Sequence, residues 1–377
     1  MSLSGPSQHS GLARALLTRG ALIGRLDRSD SIWLGTDLNG QAGEAHQNLK
    51  ACTFWQGQFF ESPTPSRWLP FSHTLKLTRA ELERELAGLA VSQPRWERLA
   101  HDRSDFEKAF ASAQTEIHSG RLKKAVPVTF RRWVGAPCPS EFFYLLTRLL
   151  EFCSRNSCYL YGAWDSEGGM LGATPEILFE QTEPGLVQTM ALAGTRSNDL
   201  NPESLLNDPK ERAEHQWVIQ GIHEKLAPLG EVTVGETRLR RLSRLTHLET
   251  PIRLKNHDGQ NAFKFESLVR ALHPTPALGA FVDVNGTGDL SRGQTDAGTA
   301  WLEDQEKITP RGAFGAPFGA VFSDGTSLCL VAIRNLQWNR THSWIGAGCG
   351  VVEQSVLDNE WDELGLKIAS VVEAFGL

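Results

Sequence analysis

Residues 158–195 read CYLYGAWDSEGGMLGATPEILFEQTEPGLVQTMALAGT. Three runs in this stretch, 158–164, 177–182 and 186–193, are short and dominated by aliphatic, aromatic and β-branched side chains, the composition of strands. Working outward, the runs 123–130 (KKAVPVTF), 317–323, 328–334 and 343–346 have the same character. Helical segments lie between them. Ser104 and Glu107 make a capping-box pattern opening a helix to about 119, and Ser140 opens the apolar helix EFFYLLTRLLEF. Asp208-Pro209-Lys210-Glu211 predicts a helix start, with aspartate as N-cap and proline at the first position, running to about 226. A last helix is expected over about 355–374. Strand-rich halves with inserted helices predict a large α+β domain with stacked sheets. Residues 1–103 carry the weaker signal, an aromatic β-like run at 54–60 and a helix over 78–89. One domain over 1–377 is expected, with 104–377 as its core, although the first hundred residues could instead form a semi-independent lobe.

The bulk composition narrows the function. The chain has 377 residues, 40% hydrophobic and 22% charged, which places it among ordinary soluble globular proteins. Its net charge is −6 and no basic tract stands out, which argues against a nucleic-acid partner. The six cysteines show no CxxC or other ligand spacing, so neither zinc nor a disulfide framework is expected. No run reaches 18 apolar residues and no secretion signal is recognisable, so the expectation is a cytoplasmic protein without a membrane partner. A monomer is the default.

Two pairs of glutamates, each three residues apart, carry the chemical interest: Glu211 and Glu214 in DPKERAEH, Glu360 and Glu363 in NEWDELGLK. Glu211, Glu214, Val218, Ile222 and Leu226 share one broad helical face. A carboxylate costs several kcal/mol to desolvate without a partner, so this placement asks for a cation. If the helices meet, they build an oxygen-rich site for a hard divalent metal. Plainer readings exist. Glu211 completes a capping box, and Glu363 with Lys367 is an ordinary i,i+4 pair on a solvated face.

The residues around the last helix add further candidates. Gly346, Gly348 and Gly350 in IGAGCG are spaced so that backbone N–H groups could approach an anion. A dinucleotide turn does not fit, because the spacing is GxGxG and only 27 residues follow. Arg334 at the end of CLVAI is either a snorkelling edge residue or a carboxylate clamp. Lys124 beside AVPV either reaches solvent or, if buried, serves as a base. Glu176 in GATPE is a turn residue or an acid, and His247 in THL is by default a satisfied histidine.

These segments together resemble the chorismate-utilising enzymes, and within them the isochorismate synthases. The resemblance runs from about residue 104 to Leu377, through KKAVPVTF, GATPEIL, ALAGTR, KERAEH, LTHLET, LHPTPALGAF, LVAIRN and IGAGCGVV…NEWDELGLK. It implies a single large α+β domain of two stacked, mainly antiparallel sheets wrapped by helices. It also implies Mg²⁺ as cofactor and chorismate as substrate. By the same resemblance Lys124 is the base that activates water and Glu176 the general acid. Glu214 and Glu363 are the Mg²⁺ ligands, with Glu211 and Glu360 as their neighbours. Arg334, Lys367 and the backbone at Gly346 contact substrate carboxylates, and Ala193, Gly194, Thr195, His247, Ala277, Leu278 and Phe314 line the pocket. The apolar pair Ala277-Leu278 in LHPTPAL resembles the isochorismate synthases, whose product feeds menaquinone and catecholate siderophores. A salicylate synthase, an aminating enzyme of the anthranilate or aminodeoxychorismate type, and a non-catalytic ligand-binding homologue remain the alternatives.

Overall fold

The computed structural model describes residues 11–27, 29–37, 52–59, 68–257, 262–274 and 295–377, so Ala277 and Leu278 lie outside the described residues. Among the described residues two nine-stranded sheets form the body. The first runs, edge to edge, through His73–Thr78, Ser31–Thr36, Gly20–Arg25, Tyr159–Trp164, Gly168–Thr174, Asn335–Asn339, His342–Gly348, Val128–Val134 and Glu97–Arg98. The second runs through Glu231–Val234, Leu245–Lys255, Leu186–Ser197, Ile177–Glu183, Ser327–Val331, Pro317–Phe322, Cys52–Gln56 and Trp68–Leu69, with Arg238–Arg241 also paired to Leu245–Lys255. The strand pairings are antiparallel.

Side-chain alternation along the strands sorts the core into layers. Ala21, Ile23, Tyr161 and Met170 of the first sheet meet Phe54, Phe318, Ala320 and Leu330 of the second. On the other face of the first sheet, Leu22, Leu160 and Leu171 pack under the helices Pro139–Arg155 and Leu357–Phe375, through Leu145, Leu149, Leu364, Ile368 and Phe375. The helices Pro209–Leu226 and Phe265–Leu272 cover the second sheet through Val218, Ile222, Leu226 and Leu268, against Phe179 and Leu254. Each such fully buried aliphatic or aromatic side chain contributes roughly 1.5–3 kcal/mol. Among the described residues no helix is long and apolar enough to cross a membrane.

Strands before residue 104 belong to both sheets. Gly20–Arg25 pairs along Tyr159–Trp164, and Cys52–Gln56 pairs along Pro317–Phe322, so early strands are interior members of both sheets. Local details also differ from the sequence expectations. The helix Ser104–His118 begins as expected, but Ser104 forms no capping box: its N–H and hydroxyl both donate to the Asp102 carboxylate. The strand expected at 123–130 starts at Val128, because Pro127 has no N–H to give a ladder. Before it, Ala125 makes a two-bond bridge to Val351 (3.1 and 2.8 Å). The strand expected to reach 334 stops at Val331, where the chain leaves one sheet for the other.

Two such crossings matter. Pro175-Glu176 joins Gly168–Thr174 in the first sheet to Ile177–Glu183 in the second. Ala332-Ile333-Arg334 joins Ser327–Val331 in the second sheet to Asn335–Asn339 in the first. The acid and the arginine singled out in the sequence therefore sit at corners between the sheets.

Candidate active site

Both corners open on one cavity of about 940 Å³, part of it open to solvent. Lys124, Glu176, Ala193, Thr195, Glu214, His247, Phe314, Arg334, Gly346 and Lys367 all line it. The glycine series makes the room. Gly346, Gly348 and Gly350 stand two apart on an extended segment, so their missing side chains clear one face. A Cβ at Gly346 would lie 2.7 Å from both Phe130 and Phe314, and one at Gly348 2.8 Å from Val126. A Cβ at Gly350 would overlap the Glu214 carboxylate and the Lys124 Cε. None of the three has positive φ, so they form no anion nest. The charged partner found here is a lysine, with Lys367 Nζ donating to the Gly348 carbonyl at 2.8 Å.

Of the two glutamate pairs only Glu214 lines the cavity, and Lys210 joins it to Glu211 and Glu360. Lys124 is 2% exposed and its Nζ donates to Glu214 Oε1 at 3.2 Å. Burial works against the Glu214 carboxylate, but the Lys124 and Lys210 ammonium groups outweigh it and hold the group down at about 2. Glu211 turns inward instead of closing a capping box. Asp208 alone caps the helix, accepting from the N–H groups of Lys210 and Glu211. The Glu211 Oε2 accepts the Thr195 N–H at 2.8 Å. That N–H is aimed by a bulge at Gly194 (φ 75°), where the register against Leu245–Lys255 shifts. Burial pushes Glu211 up to about 7, and burial also raises Glu360 despite the nearby Lys210. Glu363 pairs with Lys367 at 2.5 Å, and neither side chain is solvated as a surface pair would be.

The donor set suits a hard cation: four carboxylates, with the Glu360 Oε2 buried and without a partner. As placed, the carboxylates are bridged by lysines. Among the described residues no group of three or more His, Cys, Asp or Glu side chains stands close enough to hold a metal ion. Ion binding therefore requires these oxygens to close in.

Glu176 also lines the cavity, and burial pushes it up to about 7, with Lys124 and Lys367 pulling the other way. Arg334 adopts φ 56°, a left-handed conformation that a non-glycine residue holds only at about 1–3 kcal/mol of strain. Its guanidinium donates to the Lys367 carbonyl (3.2 Å) and Ser370 hydroxyl (2.9 Å), and its own carbonyl accepts the Ala173 N–H (3.1 Å). Below it, the Tyr161 hydroxyl donates to the Ile333 carbonyl at 2.8 Å. Burial, reinforced by Arg334 and Lys367, drives His247 well below its usual range, so the ring is neutral. Its Nδ1–H then donates to the Gly194 carbonyl (3.2 Å), leaving Nε2 to accept from Arg334 (3.4 Å).

Sequence reasoning missed Lys210 and Arg311. Lys210 Nζ lies among three glutamates and passed for a helix-start lysine. Arg311, 1% exposed, lines the cavity and stacks over Phe59 at 4.5 Å; nothing in PRGAFG announced a buried guanidinium.

The sequence profile of the family described as "Chorismate binding enzyme" matches residues 72–376. The chain belongs to the chorismate-binding enzymes. A Pseudomonas aeruginosa protein named "Salicylate biosynthesis isochorismate synthase" is 32% identical over 292 residues, 73% of this chain and 55% of its own. "Isochorismate synthase MenF" of Bacillus subtilis is 28% identical over 284 residues, 73% of this chain and 56% of its own. The chain thus spans about half the length of these curated relatives. The solved structure of MenF, the menaquinone-specific isochorismate synthase from Escherichia coli, shares the fold with a TM-score of 0.71 at 19% identity, over 99% of this chain and 92% of that one. Of the cavity-lining residues, all but Phe59 fall within the chorismate-binding segment.

Proposed function

We propose that the chain is an isochorismate synthase that interconverts chorismate and isochorismate with Mg²⁺, acting as a cytoplasmic monomer and a single domain over 1–377. The observation that carries this reading is the shared cavity. A buried amine (Lys124) and a buried, proton-retaining carboxyl (Glu176) line it together with two further cations, Arg334 and Lys367. The isochorismate synthase names of two relatives support it.

Chorismate is a dianion, and Arg334 and Lys367 offer donors for its carboxylates. Glu214 and Glu363 would hold the metal, with Glu211 and Glu360 beside them. A divalent cation there supplies positive charge for a substrate carboxylate. Lys124, when its amine is free of the proton that pairs it with Glu214, takes a proton from water, whose oxygen bonds to ring C2 as the ring double bonds shift. Glu176 gives its proton to the C4 hydroxyl, which leaves as water. One water enters and one leaves, so substrate and product are isomers and the reaction is reversible.

Incubation of purified protein with chorismate and Mg²⁺ is expected to yield isochorismate without pyruvate. Pyruvate with salicylate in equal amounts would establish the salicylate synthase alternative, and an ammonia-dependent product the aminating one. Chelation of the metal abolishes turnover and Mg²⁺ restores it. Glu214→Ala or Glu363→Ala loses that Mg²⁺-dependent activity, and retention of it in either variant would show that these are not the ligands. Gly350→Ala tests the cleared face: its methyl displaces Glu214 and Lys124, so turnover falls on the order of 10²-fold and the thermal midpoint falls with it, overpacking costing about 1–3 kcal/mol. Steady-state kinetics alongside a melting curve read both.

A further inference from the structure

Lys210 extends from the first turn of the Pro209–Leu226 helix into the carboxylate cluster. Its Nζ is 3.1 Å from Glu211 Oε1, 3.5 Å from Glu214 Oε2 and 2.9 Å from Glu360 Oε1, so one amine ties together two helices remote in sequence. An ammonium has three N–H donors, and these three carboxylates use them. One oxygen is still left over: Glu360 Oε2 is buried and unpartnered. A hard divalent ion takes up to six or more oxygens, so it could satisfy what the ammonium leaves undone. The two cations need the same oxygens and cannot share them. The Lys210 side chain is 18% exposed, which leaves it a path outward.

We propose that Lys210 is the chain's own counter-ion for the carboxylates of Glu211, Glu214 and Glu360 and that a divalent cation binds by displacing it, so that Lys210 sets the metal affinity. The inference rests on the cation site of the proposed function. A resident ammonium raises the apparent Kd for the metal by the reciprocal of the fraction of molecules in which it is unseated.

Calorimetric titration with MgCl₂ alone, without substrate, tests this on wild type and Lys210→Met. The expected result is a Kd for Mg²⁺ lowered by about tenfold or more in the variant, because a competing unit charge has gone. In the wild type, amine-reactive labelling of Lys210, read by mass spectrometry, should rise severalfold when Mg²⁺ saturates. An unchanged or weaker Mg²⁺ affinity in Lys210→Met, or labelling indifferent to Mg²⁺, overturns the proposal. Lys210→Gln and the wild-type labelling decide the matter if Lys210→Met does not fold. A wild type that isomerises chorismate with Mg²⁺ while the variant's affinity is unchanged would refute this inference alone. Absence of Mg²⁺ binding to any of the proteins would refute the metal reading with it.

Discussion

Lys124→Ala lowers kcat for chorismate consumption by about 10³- to 10⁴-fold, the upper part of the range that one positioned base contributes. KM changes little, because Arg334 and Lys367 still line the cavity and still meet the carboxylates. Steady-state kinetics with chorismate separate the two. A raised KM with unchanged kcat would make Lys124 a binding residue and not the base. The variant also carries a stability signature. Glu214 loses its 3.2 Å partner, and removing one member of a buried pair costs about 3–5 kcal/mol when nothing replaces it. Lys210 at 3.5 Å offsets part of that loss. Added Mg²⁺ is expected to restore part of the lost thermal midpoint, which a melting curve with and without the ion measures.

Glu176→Gln removes the proton donor and lowers kcat by roughly 10²- to 10⁴-fold without moving Lys124 or the glutamate cluster. The pH profile gives the sharper test. Burial holds the Glu176 carboxyl up to about 7, so it carries its proton below that pH and loses it above. Loss of the Glu176 proton should make the forward rate of the wild type fall about tenfold per pH unit on the alkaline side of about 7, while the base Lys124 governs the acid limb. That alkaline limb disappears in Glu176→Gln. Stability follows with a definite sign. The unfolded carboxyl loses its proton near pH ~4.3, so between there and about 7 the folded protein binds more protons and its stability declines as pH rises. Glu176→Gln should flatten that decline. An alkaline limb persisting in the glutamine variant would move the acid role elsewhere.

The strands and helices were readable because their hydrophobic periods were strong. Tyr159–Trp164, Ile177–Glu183 and Pro209–Leu226 fall within a residue or so of the runs that announced them, and Leu186–Ser197 within four. What sequence could not supply was the meeting of distant segments. Period alone places Glu211 both at a cap and on the inner face, and only the Gly194 bulge, which brings the Thr195 N–H to it, decides for the inner face. The GxGxG spacing points to backbone N–H groups approaching an anion; that these glycines make room for Phe314 and Glu214 needs those neighbours in place. Lys210 went unnoticed because its three acceptors come from two helices about 150 residues apart. The corner positions of Glu176 and Arg334 required the sheet order, since nothing local in GATPE or AIRN says that the chain changes sheets there. In the first hundred residues, short strands with polar interruptions hid their membership of both sheets.

In the proposed reaction, water activated by Lys124 adds to chorismate in this cavity. The direct measurement is turnover of chorismate with Mg²⁺ in H₂¹⁸O, with product followed by mass spectrometry at early times. Isochorismate is expected to carry one ¹⁸O, in the new C2 hydroxyl, with no pyruvate released and with product from Lys124→Ala formed at least about 10³-fold more slowly. Isochorismate without the label, pyruvate in step with product, or full activity in Lys124→Ala would contradict that reaction.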